Sequence, residues 1–469
     1  MREHLSAGKL VIVALVVTIG LSLGGCARFF QAGSASASSS SVSSSLSAEQ
    51  RAALVNEGKT ERLFNTARGD YEMLTAFMRQ MPKGAALNTI AAPAADGGSM
   101  AVTQGATTAI LSAPVQLSED ASGEELAAAY QPLFTYATQE RIGYLEIIAT
   151  PSNAQLAAIV EVLGTVHDDF LETGEDWQLA VDFVYPLDVS SLLESPEAFQ
   201  ATLDGAVEIY LAKDSPYVAI AVMPPASGSL DVAQTAVLLD AIDQTWQTVE
   251  ASSDSASSES GASDSASSDS AATVKPLRLI YPNANWSSVA EDGSFLPHNF
   301  NDLLEKGHPA RLDGLSSLLT QPDGLSLADQ LREKALPVTL SLPASTASGS
   351  APGAFEPEPW SSSLALLHSA GVATILTGPE TTVAGLQGSV PAATGHIPAL
   401  TEQFIAAAWR YDLSYADIKA LAYGGITNAF LNEQDAEMLK GQLDSAFATF
   451  EAAMAARADS YTLQQESGK

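Results

Sequence analysis

The sequence has 469 residues, of which 22 are basic and 55 are acidic, and its formal net charge is −33. Such a balance leaves no basic patch for phosphate groups, so it excludes nucleic acid as a partner. The single cysteine, Cys26, excludes a disulfide bond within the chain.

Residues 1–26 have the pattern of a signal peptide. Two basic residues, Arg2 and Lys9, precede an apolar run at 10–23, which ends in Leu-Gly-Gly-Cys at 23–26. This tetrad resembles the bacterial lipobox, whose cysteine is acylated and becomes the mature N-terminus. The resemblance implies a protein lipid-anchored to the cell membrane through Cys26 and facing its extracytoplasmic side. The alternatives are a plain secretory signal and a single transmembrane helix, although the run is short for a span.

Two serine-rich tracts interrupt the remaining sequence. Residues 27–47 predict a flexible tether between the anchor and the folded body. Residues 252–272 repeat Ser, Asp and Ala, which is typical of a linker or a disordered loop. Since the same strand and helix rhythm continues on both sides, we predict a surface loop inserted in one domain at 48–461.

The folded region begins with helical periodicity over 47–81, followed by a buried strand at 85–92. Further short apolar runs predict seven more strands, at 141–151, 177–186, 217–225, 277–283, 310–314, 336–343 and 372–379. Helices are predicted at 124–136, 196–211, 299–305, 325–334, 361–370, 401–411 and 414–423. Eight buried strands alternating with helices predict an α/β fold, the (β/α)8 TIM barrel, with an N-terminal helical extension.

Segments at both ends carry a family resemblance. Met-Pro-Lys-Gly at 81–84 leads to Leu87, and the closing segment starts with Leu-Ser-Tyr-Ala-Asp-Ile at 413–418 and ends in Phe430 and Leu431. Both segments, together with Tyr-x-Glu at 144–146, resemble the adenosine deaminase family, especially its secreted growth-factor-like branch. The resemblance covers about 60–455 and implies the same barrel.

The resemblance also implies where a metal site would lie. Family members hold a metal, usually zinc, with histidines of barrel strands one and five and an aspartate of strand eight. A glutamate after strand five protonates the purine, and a histidine after strand six orients the attacking water. Zinc lowers the pKa of that water and so generates hydroxide.

None of these residue types stands at the matching positions here. The family's first histidine pair falls on Asn88 and Ile90. Its strand-five motif falls on Tyr-Pro-Asn-Ala at 281–284, its strand-six motif on 311–315, and its strand-eight motif on Thr-Gly-Pro-Glu at 377–380. Because zinc needs three or four N, O or S ligands, we expect neither a bound metal nor a catalytic residue of the family's kind.

The barrel mouth nevertheless supplies candidate binding residues. They are Asn88, Ile90, Tyr281, Asn283, Asp313, Thr377 and Glu380. Tyr281 is bulky enough to fill the space that a metal would vacate. The histidines at 167, 298, 308, 368 and 396 fall in predicted helices, a helix start, a turn and a loop, which favours surface or core roles.

The leading hypothesis is therefore a membrane-anchored lipoprotein whose deaminase-like barrel has lost its catalysis and serves as a binding or interaction module. A nucleoside, a small metabolite or a protein are the candidate partners. One alternative is a working hydrolase, with displaced metal ligands or with Asp313 and Glu380 as a metal-independent pair. Another is a structural protein of the cell envelope.

The anchor is tested by the substitution Cys26→Ser. We expect this variant to leave the detergent phase or to keep its signal uncleaved, because the acyl chains have no other attachment point. Detergent-phase partitioning and the mass of the mature N-terminus measure this, with the wild-type protein as control. Unchanged partitioning of a variant whose signal has been cleaved would rule out the lipid anchor.

Overall fold

The computed structural model describes residues 47–93, 100–104, 123–174, 177–193, 195–223, 232–258, 277–282, 310–313, 324–340, 363–376, 399–411 and 413–467. The chain divides into two compact units, residues 1–54 and 55–469. The described part of the first unit is 47–54, where the first helix begins.

A single sheet forms the centre of the second unit. Its strands are β1 (Gly84–Pro93), β2 (Met100–Gln104), β3 (Ile142–Ile148), β4 (Ala180–Asp188), β5 (Tyr217–Met223), β6 (Leu279–Pro282), β7 (Ala310–Asp313), β8 (Val338–Leu340) and β9 (Thr374–Leu376). They follow the order β2-β1-β3-β4-β5-β6-β7-β8-β9, and every neighbouring pair is parallel except β1 and β2. The eight parallel strands form a nearly closed (β/α)8 barrel, which confirms the predicted fold class.

Helices surround this barrel. They are α1 (Ala48–Ala67), α2 (Tyr71–Gln80), α3 (Gly123–Gln139), α4 (Asn153–Glu172), α5 (Pro196–Leu211), α6 (Val232–Ser258), α7 (Gly324–Glu333), α8 (Ser363–Ala370), α9 (Ala399–Arg410), α10 (Tyr415–Thr427) and α11 (Glu433–Ser467). None of the helices in the described ranges has the length and apolarity to span a bilayer.

Several predicted boundaries are wrong. The helix predicted over 47–81 is two helices, because Asp70 adopts an extended backbone and its side chain accepts a hydrogen bond from the amide of Met73. The loop predicted at 252 starts later, since α6 continues to Ser258 by adding one backbone hydrogen bond per residue. Strand β2 was not predicted at all, and the helix expected at 299–305 lies outside the described residues.

Helix α10 contacts both the first and the last barrel strand. In the described part of the sheet no ladder joins β9 to β1, and α10 packs against both of them. A side chain at Gly84, whose φ is +71°, would lie 2.1 Å from the carbonyl oxygen of Ala422, and one at Gly425 would lie 3.0 Å from Ala85 Cβ. The glycines therefore allow α10 to approach β1 closely.

A buried lysine, just before the start of β1, connects the C-terminal ends of α2 and α3. The Lys83 Nζ donates hydrogen bonds to the carbonyl oxygens of Met78 (3.0 Å), Met81 (3.2 Å) and Glu140 (3.1 Å), at the ends of α2 and α3. The Glu140 carboxylate lies 3.7 Å away and accepts a hydrogen bond from Thr401 of α9. Burial lowers the pKa of Lys83 to about 8, although the neighbouring Glu140 acts in the opposite direction.

The lowered pKa of Lys83 predicts that the stability of the protein changes with pH in the alkaline range. Between pH 8 and 10.5 the native protein has released the Lys83 proton while the unfolded chain still holds it, so the free energy of unfolding should rise with pH. One proton contributes a slope of at most about 1.4 kcal/mol per pH unit. Urea unfolding of the wild type and of Lys83→Met across this window measures the difference, and parallel curves would contradict the assignment.

Candidate functional site

The carboxyl ends of the strands are where a (β/α)8 barrel places its reactive groups. Asn88 lies in the middle of β1 and Ile90 follows two residues later, where it is the register partner of Ile148 on β3. From Ala86 to Thr89 the β1 backbone advances three residues while β3 advances two. A bulge therefore includes Asn88, and bulges at such places redirect side chains.

Two other candidates lie on β6 and β7. Tyr281 is the register partner of Leu312, and Asp313, the last residue of β7, is opposite both Pro282 and Thr339. The other predicted binding residues, Asn283, Thr377 and Glu380, lie outside the described residues, as does Cys26. In sheet order, the four strands β3 to β6 lie between β7, which contains Asp313, and β1, which contains Asn88 and Ile90.

Tyr281 and its neighbour Ile280 belong to different apolar cores. The Tyr281 side chain is 1% exposed and belongs to the large core, with Leu279 of the same strand and apolar residues of the helices. Ile280, on the opposite face of β6, belongs instead to the smaller core. Tyr281 therefore points towards the surrounding helices and away from the barrel interior. Burial raises the pKa of its hydroxyl far above the usual range.

The barrel interior is filled by a small apolar core. Its members come from neighbouring strands and from one residue after α10, and they are Ile148, Val184, Ala219, Ala221, Met223, Ile280 and Phe430. The alanines of β5 are the smallest of these side chains and Phe430 is the largest. This complementarity in size indicates that the C-terminal segment completes the interior.

One charged pair lies buried within the same barrel. The guanidinium of Arg311 on β7 donates to both carboxylate oxygens of Glu146 on β3, with the Nη1–Oε2 contact at 3.2 Å. Both side chains have zero exposure. The Arg311 guanidinium also lies 5.0 Å from the ring centroid of Phe430, and its Nη1 is 3.5 Å from the carbonyl oxygen of Asn428.

A second arginine holds the same segment. Arg278, just before β6, donates hydrogen bonds to the carbonyl oxygens of Phe430 and, at 3.4 Å, Leu431. Phe430 is therefore fixed through its ring by Arg311 and through its backbone by Arg278. Sequence reasoning singled out the segments that contain Glu146 and Arg311 and missed their pairing, although charged residues within these apolar runs were the available indication.

A tyrosine and an aspartate lie beside the Glu146–Arg311 pair and contribute further polar groups. Asp182 on β4 is the register partner of Glu146, and its carboxylate accepts a hydrogen bond from the Tyr144 hydroxyl at 3.1 Å. Burial, followed by the negative charges of Asp182 and Glu146, raises the pKa of Tyr144 well above its usual value. Tyr144 therefore remains a hydrogen-bond donor at any ordinary pH.

The donor set in the described ranges does not fit zinc. No group of three or more His, Cys, Asp or Glu side chains in these ranges is placed to hold a metal ion. The buried Glu146 is already bound by Arg311. The two described histidines lie on helices, where His167 Nδ1 is 3.3 Å from the carbonyl oxygen of Trp177 and His368 Nε2 is 3.5 Å from the Asp417 carboxylate.

No family model matches this sequence, and no curated protein matches it either. Among solved structures, several deaminases and amidohydrolases are similar to it. An adenine deaminase from Arthrobacter aurescens is 11% identical, with a TM-score of 0.40 over 69% of this chain and 80% of its own. The N6-mAMP deaminase of Arabidopsis is 15% identical, with a TM-score of 0.39 over 69% and 79%. An amidohydrolase from Burkholderia ambifaria with bound zinc is 11% identical, with a TM-score of 0.44 over 82% and 95%.

The buried pair predicts a coupling that unfolding experiments can measure. Arg311→Met should cost about 3–5 kcal/mol, because it leaves the Glu146 carboxylate buried without a counter-charge. Glu146→Gln should also destabilise, and the double variant should cost clearly less than the sum of the two. Arg332→Met is the matched control, since its pair with Asp329 is half exposed and should contribute about 0–1 kcal/mol. Additive costs for Arg311 and Glu146 would contradict the pairing.

Proposed function

We propose that this chain is a membrane-anchored, extracytoplasmic lipoprotein whose adenosine-deaminase-like barrel binds a ligand without metal catalysis. The anchoring part of the proposal is based on the lipobox-like tetrad that ends at Cys26. The barrel part is supported by the motifs at both ends of the fold, since Met-Pro-Lys-Gly leads directly into β1 and the Ser414 motif caps the helix that packs on β1 and β9.

The proposal is supported mainly by a difference between two sets of positions, one structural and one that would form the metal site. Glu146 and Arg311 match the resemblance in residue type and are joined inside the barrel. At the positions where the family would hold its metal, the sequence has Asn88, Ile90 and Thr-Gly-Pro-Glu at 377–380. Substitution of the catalytic positions beside retention of these two structural ones is what loss of catalysis on a maintained scaffold would produce.

The apolar residues below the barrel mouth indicate which kinds of ligand could bind there. Ile148 and Met223 are the last residues of β3 and β5, and both belong to the apolar interior with Ile280. A ligand in the mouth would rest on this surface and not on a metal. An uncharged ring, such as the base of a nucleoside, gains from such a contact, whereas a free phosphate group loses its hydration there.

Metal content and turnover test the proposal together. The gently purified protein is expected to contain far less than one equivalent of zinc and to leave adenosine unchanged, as measured by elemental analysis and by the ultraviolet change that accompanies deamination. Without metal-bound hydroxide the reaction lacks both its nucleophile and its main electrostatic stabilisation.

A chelator-treated sample serves as the control for this experiment. About one equivalent of zinc, or turnover that the chelator abolishes, would mean that the protein is a deaminase with displaced ligands. Turnover that resists the chelator and is lost in Asp313→Asn would favour the metal-independent hydrolase instead.

A further inference from the structure

Asp188 is a charged residue at the carboxyl end of a barrel strand that the sequence analysis did not single out. It is the last residue of β4, and the only other parallel strand that ends in a charged residue is β7, with Asp313. Asp188 is exposed, whereas Leu187 and Val189 on either side of it are 1% and 0% exposed. Its side chain therefore extends out of the packed part of the barrel.

The direction of this side chain follows from the alternation along β4. Phe183 and Leu187 belong to the large core under the helices, and Val184 belongs to the small core of the barrel interior. The pairing of β4 with β5 is regular from Val184 to Asp188, and Asp188 is opposite Met223, another member of the interior core. Since alternate side chains of a strand share a face, Asp188 lies on the interior side, at the barrel mouth.

The Asp188 carboxylate is only partly engaged within the protein. Its Oδ1 accepts a hydrogen bond from the backbone amide of Ser190 at 2.8 Å, at the start of a short 3-10 helix, Ser190–Leu193. Its Oδ2 accepts no hydrogen bond from the residues that the structure describes, and none of their basic side chains forms an ion pair with it. The turn thus uses one oxygen and leaves the other oxygen, and the charge, available to a ligand.

An apolar surface lies directly below this charge. Met223 ends β5 and Ile148 ends β3, the two strands that flank β4, and both side chains pack in the interior core with Ile280. An apolar ring gains free energy by leaving water for such a surface, and a protonated amine gains by donating to a carboxylate. The net charge of −33 also attracts cations and repels anions.

We propose that Asp188 selects ligands by charge at the barrel mouth, and that the site takes an organic cation in which a protonated amine is attached to an apolar ring. The inference rests on the ligand-binding function proposed above and adds a class of ligand to it. The ring lies against Met223 and Ile148, and the amine donates a hydrogen bond to Oδ2 of Asp188. Ligands that carry a phosphate or carboxylate group are repelled.

Asp188→Asn separates the role of this side chain in the turn from its role in binding. The asparagine Oδ1 still accepts the Ser190 amide, whereas the negative charge is removed. We therefore expect an unchanged midpoint of thermal unfolding. Glu161→Gln is the matched control, because it removes one charge at an exposed position on α4. Asp188→Glu keeps the charge and should behave as the wild type in binding.

Two probes that differ in charge test the selection. 2-Phenylethylamine and 2-phenylethanol have the same ring and chain length, and only the amine is a cation at neutral pH. Full-length protein in detergent, with carbon-13 in its methionine methyl groups, provides a Met223 signal that is assigned by its loss in Met223→Leu. A ring that reaches the apolar surface shifts this signal, and titration gives the affinity of each probe.

The wild type is expected to bind the amine roughly tenfold more tightly than the alcohol, which is the effect of one hydrogen bond to a charged group. Asp188→Asn should remove this preference, and Glu161→Gln should retain it. Equal affinities of the wild type for the two probes, or a preference that persists in Asp188→Asn, would overturn the selection by Asp188 and leave the ligand-binding function standing. A Met223 signal that neither probe shifts at millimolar concentration would overturn both.

Discussion

The buried pair of Glu146 and Arg311 is the interaction on which the barrel depends most. It joins β3 to β7 across the interior, and neither charge reaches water. Burying a carboxylate and a guanidinium is costly unless each satisfies the other, so either residue alone would destabilise the fold. The pair also fixes the place of Phe430, because its ring packs against the guanidinium of Arg311.

The C-terminal part of the chain is consequently part of the barrel itself. Helix α10 packs against both β9 and β1, and the backbone after it is held by Arg278 and Arg311. Close approach requires Gly84, where any side chain would collide with the Ala422 carbonyl oxygen, and is eased by Gly425, where a side chain would be tightly packed against Ala85. A barrel closed in this manner needs its last helices before its interior is complete, so we expect its folding to involve contacts between distant parts of the sequence.

Much of this architecture could be predicted from the sequence. The eight strand positions follow from short apolar runs, and the start of α5 follows from Ser195 and Pro196, a capping residue and a favourable first residue. The orientation of Tyr281 could not be predicted, because strands of a parallel sheet are buried on both faces and lack an alternating pattern. Strand β2 was missed because its Ala- and Thr-containing sequence has no strong periodicity.

Two features that were not predicted, α11 and the break between α1 and α2, could have been recognised from the sequence. The apolar positions of α11 recur at helical spacing, as Leu439, Leu443, Phe447, Phe450 and Met454 show. Likewise, Gly69 and Asp70 together indicate the break between α1 and α2. For the candidate site, the sequence located Asn88, Ile90 and Asp313 on the correct strands, whereas the bulge at Asn88 depends on register and has no local sequence pattern.

The central claim is that this scaffold is maintained without the metal chemistry of the family that it resembles. Thermal unfolding with a strong chelator, and separately with added zinc, tests this claim most directly, because a ligand that binds only the native state raises its stability by mass action. The account predicts the same unfolding midpoint in both conditions. A midpoint that falls by several degrees with the chelator and returns with zinc would contradict it.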